Sequence, residues 1–181
     1  MSGDIETLSS RTVYTNPWLS VREDRVRFAG GAEGIYGVID KPDFVAIVPI
    51  HDSGKIELVE QFRYPVGERL WELPLGSWPA DSSATPEAVA RGELAEETGL
   101  TATSWEHAGR LHAAAGVINQ RCDLFVATGL TRGMPRREPQ EADMVAASFS
   151  PAEIIALIES GRMTDAISIA ALGLLRFRGR L

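Results

Sequence analysis

Three glutamates, Glu93, Glu96 and Glu97, stand at i, i+3 and i+4 in the segment Gly92-Glu93-Leu94-Ala95-Glu96-Glu97-Thr98-Gly99-Leu100. On a helix that spacing fans the carboxylates over one side. Like charges placed so repel by about 3 kcal/mol per pair at 5 Å and an effective dielectric near 20. A chain seeking only stability would interleave lysines. A cation is expected to fill the gap, and an all-oxygen donor set suits Mg2+ or Mn2+ better than zinc. The alternative for such a spacing taken alone is a solvated acidic face.

The flanks specify the helix. Thr85-Pro86-Glu87 reads as N-cap, N1 proline and an acid in the first turn, and Gly99 reads as the stop. The helix runs from about Pro86 to Thr98, so the acids crowd its last turns. That end of the macrodipole prefers cations, a second unfavourable term that a bound cation would relieve. Upstream, Trp71-Glu72-Leu73-Pro74-Leu75-Gly76 leads into a loop rich in Ser, Pro, Ala and Asp. The order is strand, irregular loop, acidic helix.

This arrangement resembles the Nudix hydrolase signature: a glycine, a loop glutamate, then Arg-Glu-aliphatic-x-Glu-Glu-x-Gly-aliphatic. Glu93, Leu94, Glu96, Glu97, Gly99 and Leu100 fall on the pattern, and Gly76 matches its first glycine. The resemblance implies that Glu93, Glu96 and Glu97 coordinate divalent metal, joined by the Leu75 carbonyl. Three positions depart from it. Gly92 stands where the family has an arginine that orients a neighbouring metal-binding glutamate. The stretch from Gly76 to Glu93 is two residues longer than the pattern. The loop glutamate is missing, with Ser82 or Ala84 in its place and Asp81 the nearest acid. Ala88, Gly92, Ala95 and Gly99 form a narrow stripe of small residues, which predicts close packing of that stripe on a sheet. The functional reading of Gly92 is weakened catalysis.

Further segments resemble the ADP-ribose pyrophosphatase branch: Glu60-Gln61-Phe62-Arg63-Tyr64-Pro65, Trp71-Glu72-Leu73-Pro74, and Gly161-Arg162-Met163-Thr164-Asp165-Ala166 before an apolar helix. By that resemblance Arg63 contacts the substrate's phosphates or terminal sugar, for which a guanidinium fork is suited. Otherwise it merely ends a strand. Glu72 is either a group supporting the site or an ion partner at a strand end. Trp18, Trp71 and Trp78 could stack on a base or simply pack. In the loop Arg137-Glu138-Pro139-Gln140-Glu141-Ala142-Asp143, the resemblance makes Glu141 the candidate general base, with Glu138 as runner-up and a solvated loop as the alternative.

Composition bounds the rest. The chain has 181 residues, 44% of them hydrophobic and 24% charged, enough for one sizeable core. A formal charge of −7 without a basic stripe argues against nucleic acid. The apolar stretch near the C-terminus is too short and punctuated to span a bilayer. Met1 to Ser10 is polar and acidic, unlike a signal peptide. The single cysteine, Cys122, excludes an internal disulfide and suits a reducing cytoplasm.

Strands are predicted over Leu19–Phe28, Ile35–Ile39, Phe44–Ile50, Ile56–Tyr64, Trp105–His112, Arg121–Thr128 and Met144–Phe149. Asp52-Ser53-Gly54 should turn a hairpin between the third and fourth. Ser150-Pro151-Ala152-Glu153 is a capping box, and a last helix covers about Thr164–Phe177. The class is α+β, in agreement with the Nudix α/β/α sandwich with a mixed sheet. By the resemblance, residues 1–41 would hold an N-terminal antiparallel β lobe, from Thr12 to Lys41, that crosses to a partner subunit in a homodimer. Residues 42–181 would form the hydrolase domain.

The expected activity is Mg2+- or Mn2+-dependent hydrolysis of a nucleoside diphosphate linked to another group, most plausibly ADP-ribose or a related nucleotide-sugar. Glu97 and Glu141, or Glu138, would carry the chemistry. The rivals are a non-catalytic Nudix domain that senses a nucleotide-sugar, and a hydrolase of a non-sugar diphosphate.

Overall fold

A computed structural model describes residues 4–77, 83–137 and 139–181. The chain divides into two compact units, Met1–Asp43 with His112–Arg121, and Phe44–Leu111 with Cys122–Leu181. The first unit holds an antiparallel sheet of β1 (Ile5–Thr15), β2 (Ser20–Phe28) and β3 (Glu33–Asp40), in that order. Strand β1 is not among the predicted strands, and it begins seven residues before Thr12, where the lobe is expected to start. Its residues are exposed nearly throughout, so no alternation of apolar side chains betrays it. Arginine–glutamate pairs fasten the strands, as in Arg11–Glu23 at 2.8 Å and Arg27–Glu6 at 2.9 Å.

The second unit contains two sheets. One has the order β7 (Leu75–Gly76), β4 (Phe44–Pro49), β9 (Arg121–Arg132), β8 (Leu100–His112). It is mixed, because β4 runs parallel to β9 and antiparallel to β7. The other has the order β10 (Val145–Phe149), β5 (Ile56–Arg63), β6 (Glu68–Glu72), all antiparallel. The Asp52-Ser53-Gly54 turn forms, with His51 N donating to Lys55 O at 2.9 Å and Gly54 at φ +79. The hairpin does not form: after a single bridge, Ile50 to Ile56, β4 and β5 part into different sheets. The continuous apolar run of β4 already fits a strand covered on both faces.

Helix α1 spans Pro86–Thr98, the bounds that its local signals predict. Thr85 Oγ1 accepts from Ala88 N at 3.2 Å, and Gly99 closes the helix at φ +74. A Cβ at Gly99 would meet Gly133 O at 2.7 Å, so glycine is required there on two counts. The helix is seated by Val89, Ala90 and Leu94 against Val45, Ile47, Phe125 and Ala127. Each such side chain contributes on the order of 1.5–3 kcal/mol when fully buried. The small-residue stripe therefore does not make the sheet contact: Ala88 is exposed, and Gly92 and Ala95 are half-buried. Leu94 rather than Gly92 faces the sheet, because β-branched and leucine side chains offer more area to bury.

Helix α2 (Pro151–Glu159) carries the complete capping box, Ser150 N donating to Glu153 at 2.7 Å and Glu153 N to Ser150 at 3.3 Å. Helix α3 (Ala166–Phe177) starts two residues later than expected, since Asp165 and not Thr164 caps it, accepting from Ser168 N at 2.7 Å. Alternation along β4 presents Val45 and Ile47 to α1 and turns Ala46 and Val48 to the other face, both buried. Contacts of α3 with β4 complete an α/β/α sandwich. Cys122 is buried in it, and burial pushes its thiol up to about 12, which makes it inert as a nucleophile. Among the described residues no helix is long and apolar enough to cross a membrane.

Candidate active site

The last turns of α1, the ends of β5 and β6 and the loop before β10 bring Glu93, Glu97, Arg63, Glu72 and Glu141 together. Glu97 is the centre. It lies on the inner side of the last turn of α1 with 1% of its surface exposed. Among the described residues neither of its carboxylate oxygens has a hydrogen-bond partner. Burial, then the like charges of Glu93, Glu141 and Glu72, push the Glu97 carboxyl well above the usual range, and Arg63 offsets only part of this. Four of the sequence candidates thus act on one buried group. Glu96 is half-buried and is not among the strongest of these influences. The i, i+3, i+4 pattern alone does not distinguish it from its neighbours.

Gly76 explains itself here. A Cβ at that position would collide with the Glu93 carboxylate, so the glycine lets Glu93 approach β7 beside Leu75. Leu75 pairs with Ala46 on the edge of the mixed sheet and is half-buried. Arg63 and Glu72 form a two-point ion pair, Nε to Oε2 at 3.2 Å and Nη2 to Oε1 at 2.8 Å. Burial raises the Glu72 carboxyl, Arg63 opposes the rise and Asp165 adds to it. Glu72 is a buried partner of a half-exposed arginine, which keeps one side of the Arg63 fork towards solvent.

Two other buried carboxylates are treated differently. Glu57, with no exposed surface, is held by His51 at 2.8 Å and Arg132 at 2.8 Å. Asp123 is held by His107 at 2.7 Å and by Arg110 at 2.8 and 3.1 Å; burial would raise it, but Arg110 and His107 bring it below the usual range. Those two are structural, and buried charges are normally paired in this way. Glu97 instead faces carboxylates. The donor set is hard oxygen with surplus negative charge, which fits a divalent cation such as Mg2+ or Mn2+ and not a softer metal. The set is gathered without being closed: no three of the described His, Cys, Asp or Glu side chains would hold an ion as they stand.

Residues that the sequence did not single out support the site. Arg137 donates Nε to the Glu97 carbonyl at 2.9 Å, and Arg136 N donates to Glu96 O at 3.0 Å. They bring donors and positive charge to the helix end where the dipole is negative. Their signal was only a position beside an acidic loop, forty residues from Glu97. Trp71 packs edge-on against Phe149, with centroids 4.7 Å apart, which is a packing role. Trp18 is 72% exposed on the first unit. Glu138, Trp78, Asp81 and Ser82 lie outside the described residues.

The sandwich and its acid-bearing helix define the class of Nudix-fold pyrophosphohydrolases. Residues 41–172 match the NUDIX domain, and residues 5–39 match the nucleoside diphosphate sugar hydrolase N-terminal domain. The chain is 36% identical over 168 residues to an ADP-ribose pyrophosphatase of Mycobacterium tuberculosis, covering 92% of this chain and 81% of that one. It is 25% identical over 177 residues to an ADP-ribose pyrophosphatase of Bacillus subtilis, covering 97% and 95%. The crystal structure of an ADP compounds hydrolase superposes with a TM-score of 0.83 at 22% identity, over 99% of this chain and 98% of that one, and speaks to the fold. The chain belongs to the Nudix family. It is a pyrophosphohydrolase of a nucleoside diphosphate linked to another moiety, and such enzymes generally work with a divalent metal.

The raised Glu97 carboxyl has a thermodynamic consequence. In the unfolded chain it ionises in the ordinary range, and in the metal-free fold only at higher pH, so the folded state holds the proton more tightly. Its destabilising effect is absent below the unfolded value and grows as pH rises towards the folded one. Glu97→Gln should therefore raise the melting temperature of the protein in EDTA, more at pH 8 than at pH 5. Thermal melts at the two pH values check this, and an equal or lower melting temperature at pH 8 contradicts it.

Proposed function

We propose that the chain hydrolyses ADP-ribose or a closely related nucleotide-sugar to a nucleoside monophosphate and a sugar phosphate, with Mg2+ or Mn2+ as cofactor. For ADP-ribose, water adds across the diphosphate to give AMP and ribose 5-phosphate. The observation that carries the reading is the buried Glu97 carboxylate without a partner among the described residues, set among Glu93, Glu141 and Glu72 beside Arg63. The substrate class is supported by the two relatives, each an ADP-ribose pyrophosphatase.

Glu93, Glu96, Glu97 and the Leu75 carbonyl would hold the cation. When bound, it neutralises the diphosphate and makes an attacking water more acidic. Glu141 accepts the proton of that water. Arg63 turns its guanidinium to the diphosphate oxygens while Glu72 fixes its orientation. With Gly92 in place of the helix arginine, that orienting work falls to other residues.

A screen of nucleotide-sugars, dinucleotides and capped nucleotides with Mg2+ or Mn2+, read by mass spectrometry, should show ADP-ribose or a near relative as the best substrate. Preference for a non-sugar diphosphate would move the substrate class. Tight binding of a nucleotide-sugar without turnover of any diphosphate would restore the sensor reading.

Steady-state kinetics should rank the two loop acids. Glu141→Gln is expected to lower kcat by roughly 10²–10⁴-fold, the range for loss of a general base, and Glu138→Gln far less. The opposite ranking hands the role to Glu138, and two small effects mean that the loop is only solvated and supplies no base.

The working form is a homodimer built through the N-terminal lobe, in a cytoplasm whose reducing conditions suit the lone Cys122. The lobe's sheet buries Val26 but leaves Tyr14, Phe28, Ile35 and Tyr36 exposed. A three-stranded sheet with so little core is marginal by itself, and a two-fold interface would cover such side chains. Light scattering should report a dimer, and deletion of residues up to Lys41 should abolish both dimerisation and activity. A fully active monomer at micromolar concentration refutes this.

A further inference from the structure

The loop between β9 and β10 is tied down at both ends by arginines that the reaction scheme above does not use. At its start Arg137, half-buried, donates Nε to the Glu97 carbonyl at 2.9 Å. The neighbouring backbone follows the same path, Arg136 N to Glu96 O at 3.0 Å and Gly133 N to Gly99 O at 2.7 Å. At its far end Arg69 of β6 donates Nη1 to Asp143 Oδ2 at 2.6 Å and Nη2 to Asp143 O at 2.9 Å. Glu60 of β5 holds the same guanidinium through Nε at 3.1 Å. Between these anchors Pro139–Glu141 form a single 3-10 turn, which Met144 N closes on Glu141 O at 2.9 Å. The Met144 side chain is buried beneath it.

A loop end without anchors opens readily, and a base carried on it would sample many positions. A displacement of about 1 Å can cost about 100-fold in rate. The planar Arg69 guanidinium, with three nitrogens engaged, restricts both distance and angle, and Arg137 adds one donor beside two backbone bonds of the same stretch. Exposed ion pairs contribute little to global stability, so anchors of this kind act on local order more than on the fold.

We propose that Arg69 and Arg137 are positioning residues for the hydrolysis, clamping the two ends of the Glu141 loop to β6 and to the last turn of α1. Arg137 thereby brings to the metal-facing end of α1 the guanidinium that Gly92 does not supply from within the helix. The inference rests on Glu141 as the base.

The test is a double-mutant cycle on the full chain with its best nucleotide-sugar and Mg2+, using Arg137→Ala, Glu141→Gln and the double variant, and the same cycle with Arg69→Ala. Arg137→Ala should lower kcat by about 10–100-fold with KM changed by less than about 3-fold. Arg137→Lys should recover part of the loss. In the Glu141→Gln background Arg137→Ala should cost almost nothing further, because the residue it positions has gone. A second readout needs no turnover: in metal-free protein, amide exchange at Met144 should quicken in both alanine variants while the melting temperature holds. If Arg137→Ala fails to fold, the more exposed Arg69 supplies the cycle alone.

Losses that multiply in the double variants, or unchanged kcat and Met144 exchange in the alanine variants of an enzyme that Glu141→Gln impairs, overturn the clamp and leave Glu141 as base. Undiminished kcat in Glu141→Gln removes the base, and with it the catalytic role of the clamp.

Discussion

Glu97 puts a carboxylate where water does not reach and surrounds it with others of the same charge. An isolated buried charge is costly enough that a protein ordinarily pairs it or leaves it protonated. Two other buried acids of the same unit are paired in full, Glu57 with His51 and Arg132, Asp123 with His107 and Arg110. The same chemical group is thus handled in opposite ways within one unit. Such a group costs stability, and any ligand that binds the folded chain there and not the unfolded one would restore it.

The surrounding elements follow from that constraint. Helix α1 must be held firmly on its other face, and Val89, Ala90 and Leu94 do this against β4 and β9. Its N-terminus is capped by Thr85 and its C-terminus stopped by Gly99, so the acids are fixed within one turn of a defined end. Gly76 removes the atom that would keep Glu93 away from β7. The last carbonyls of α1 point at the same region and add negative potential, which the donors of Arg136 and Arg137 temper from behind. Donors thus meet the backbone carbonyls at this end of α1, while among the described residues none donates to the Glu97 carboxylate oxygens.

Arg63 and Glu72 show a comparable division. Their ion pair spans β5 and β6, and it brings one guanidinium to the rim of an otherwise acidic site. The pair fixes the guanidinium to the buried Glu72, and its charge partly offsets the crowding of carboxylates around Glu97. The match to the nucleoside diphosphate sugar hydrolase N-terminal domain over residues 5–39 places a separate sheet ahead of this chemistry in the chain.

What the sequence determined by itself is local. The bounds of α1, the capping box of α2 and the spacing of Glu93, Glu96 and Glu97 depend on residues within a few positions of each other, and all three were legible. The family signature is equally local, which is why it named the activity class. What only the tertiary structure decided depends on groups far apart in the chain. The burial of Glu97 rather than Glu96 is set by which face of α1 meets Val45, Ile47 and Phe125. The departure of β5 from β4 is set by pairing with β6 and β10, and the small-residue stripe lost its expected contact because larger side chains bury more area on the same sheet. Arg137 reaches Glu97 across forty residues and Arg69 reaches Asp143 across seventy-four. Charge and hydrogen bonding act over a few ångströms in space, and spacing along the chain carries that information only where a helix or a turn converts one into the other.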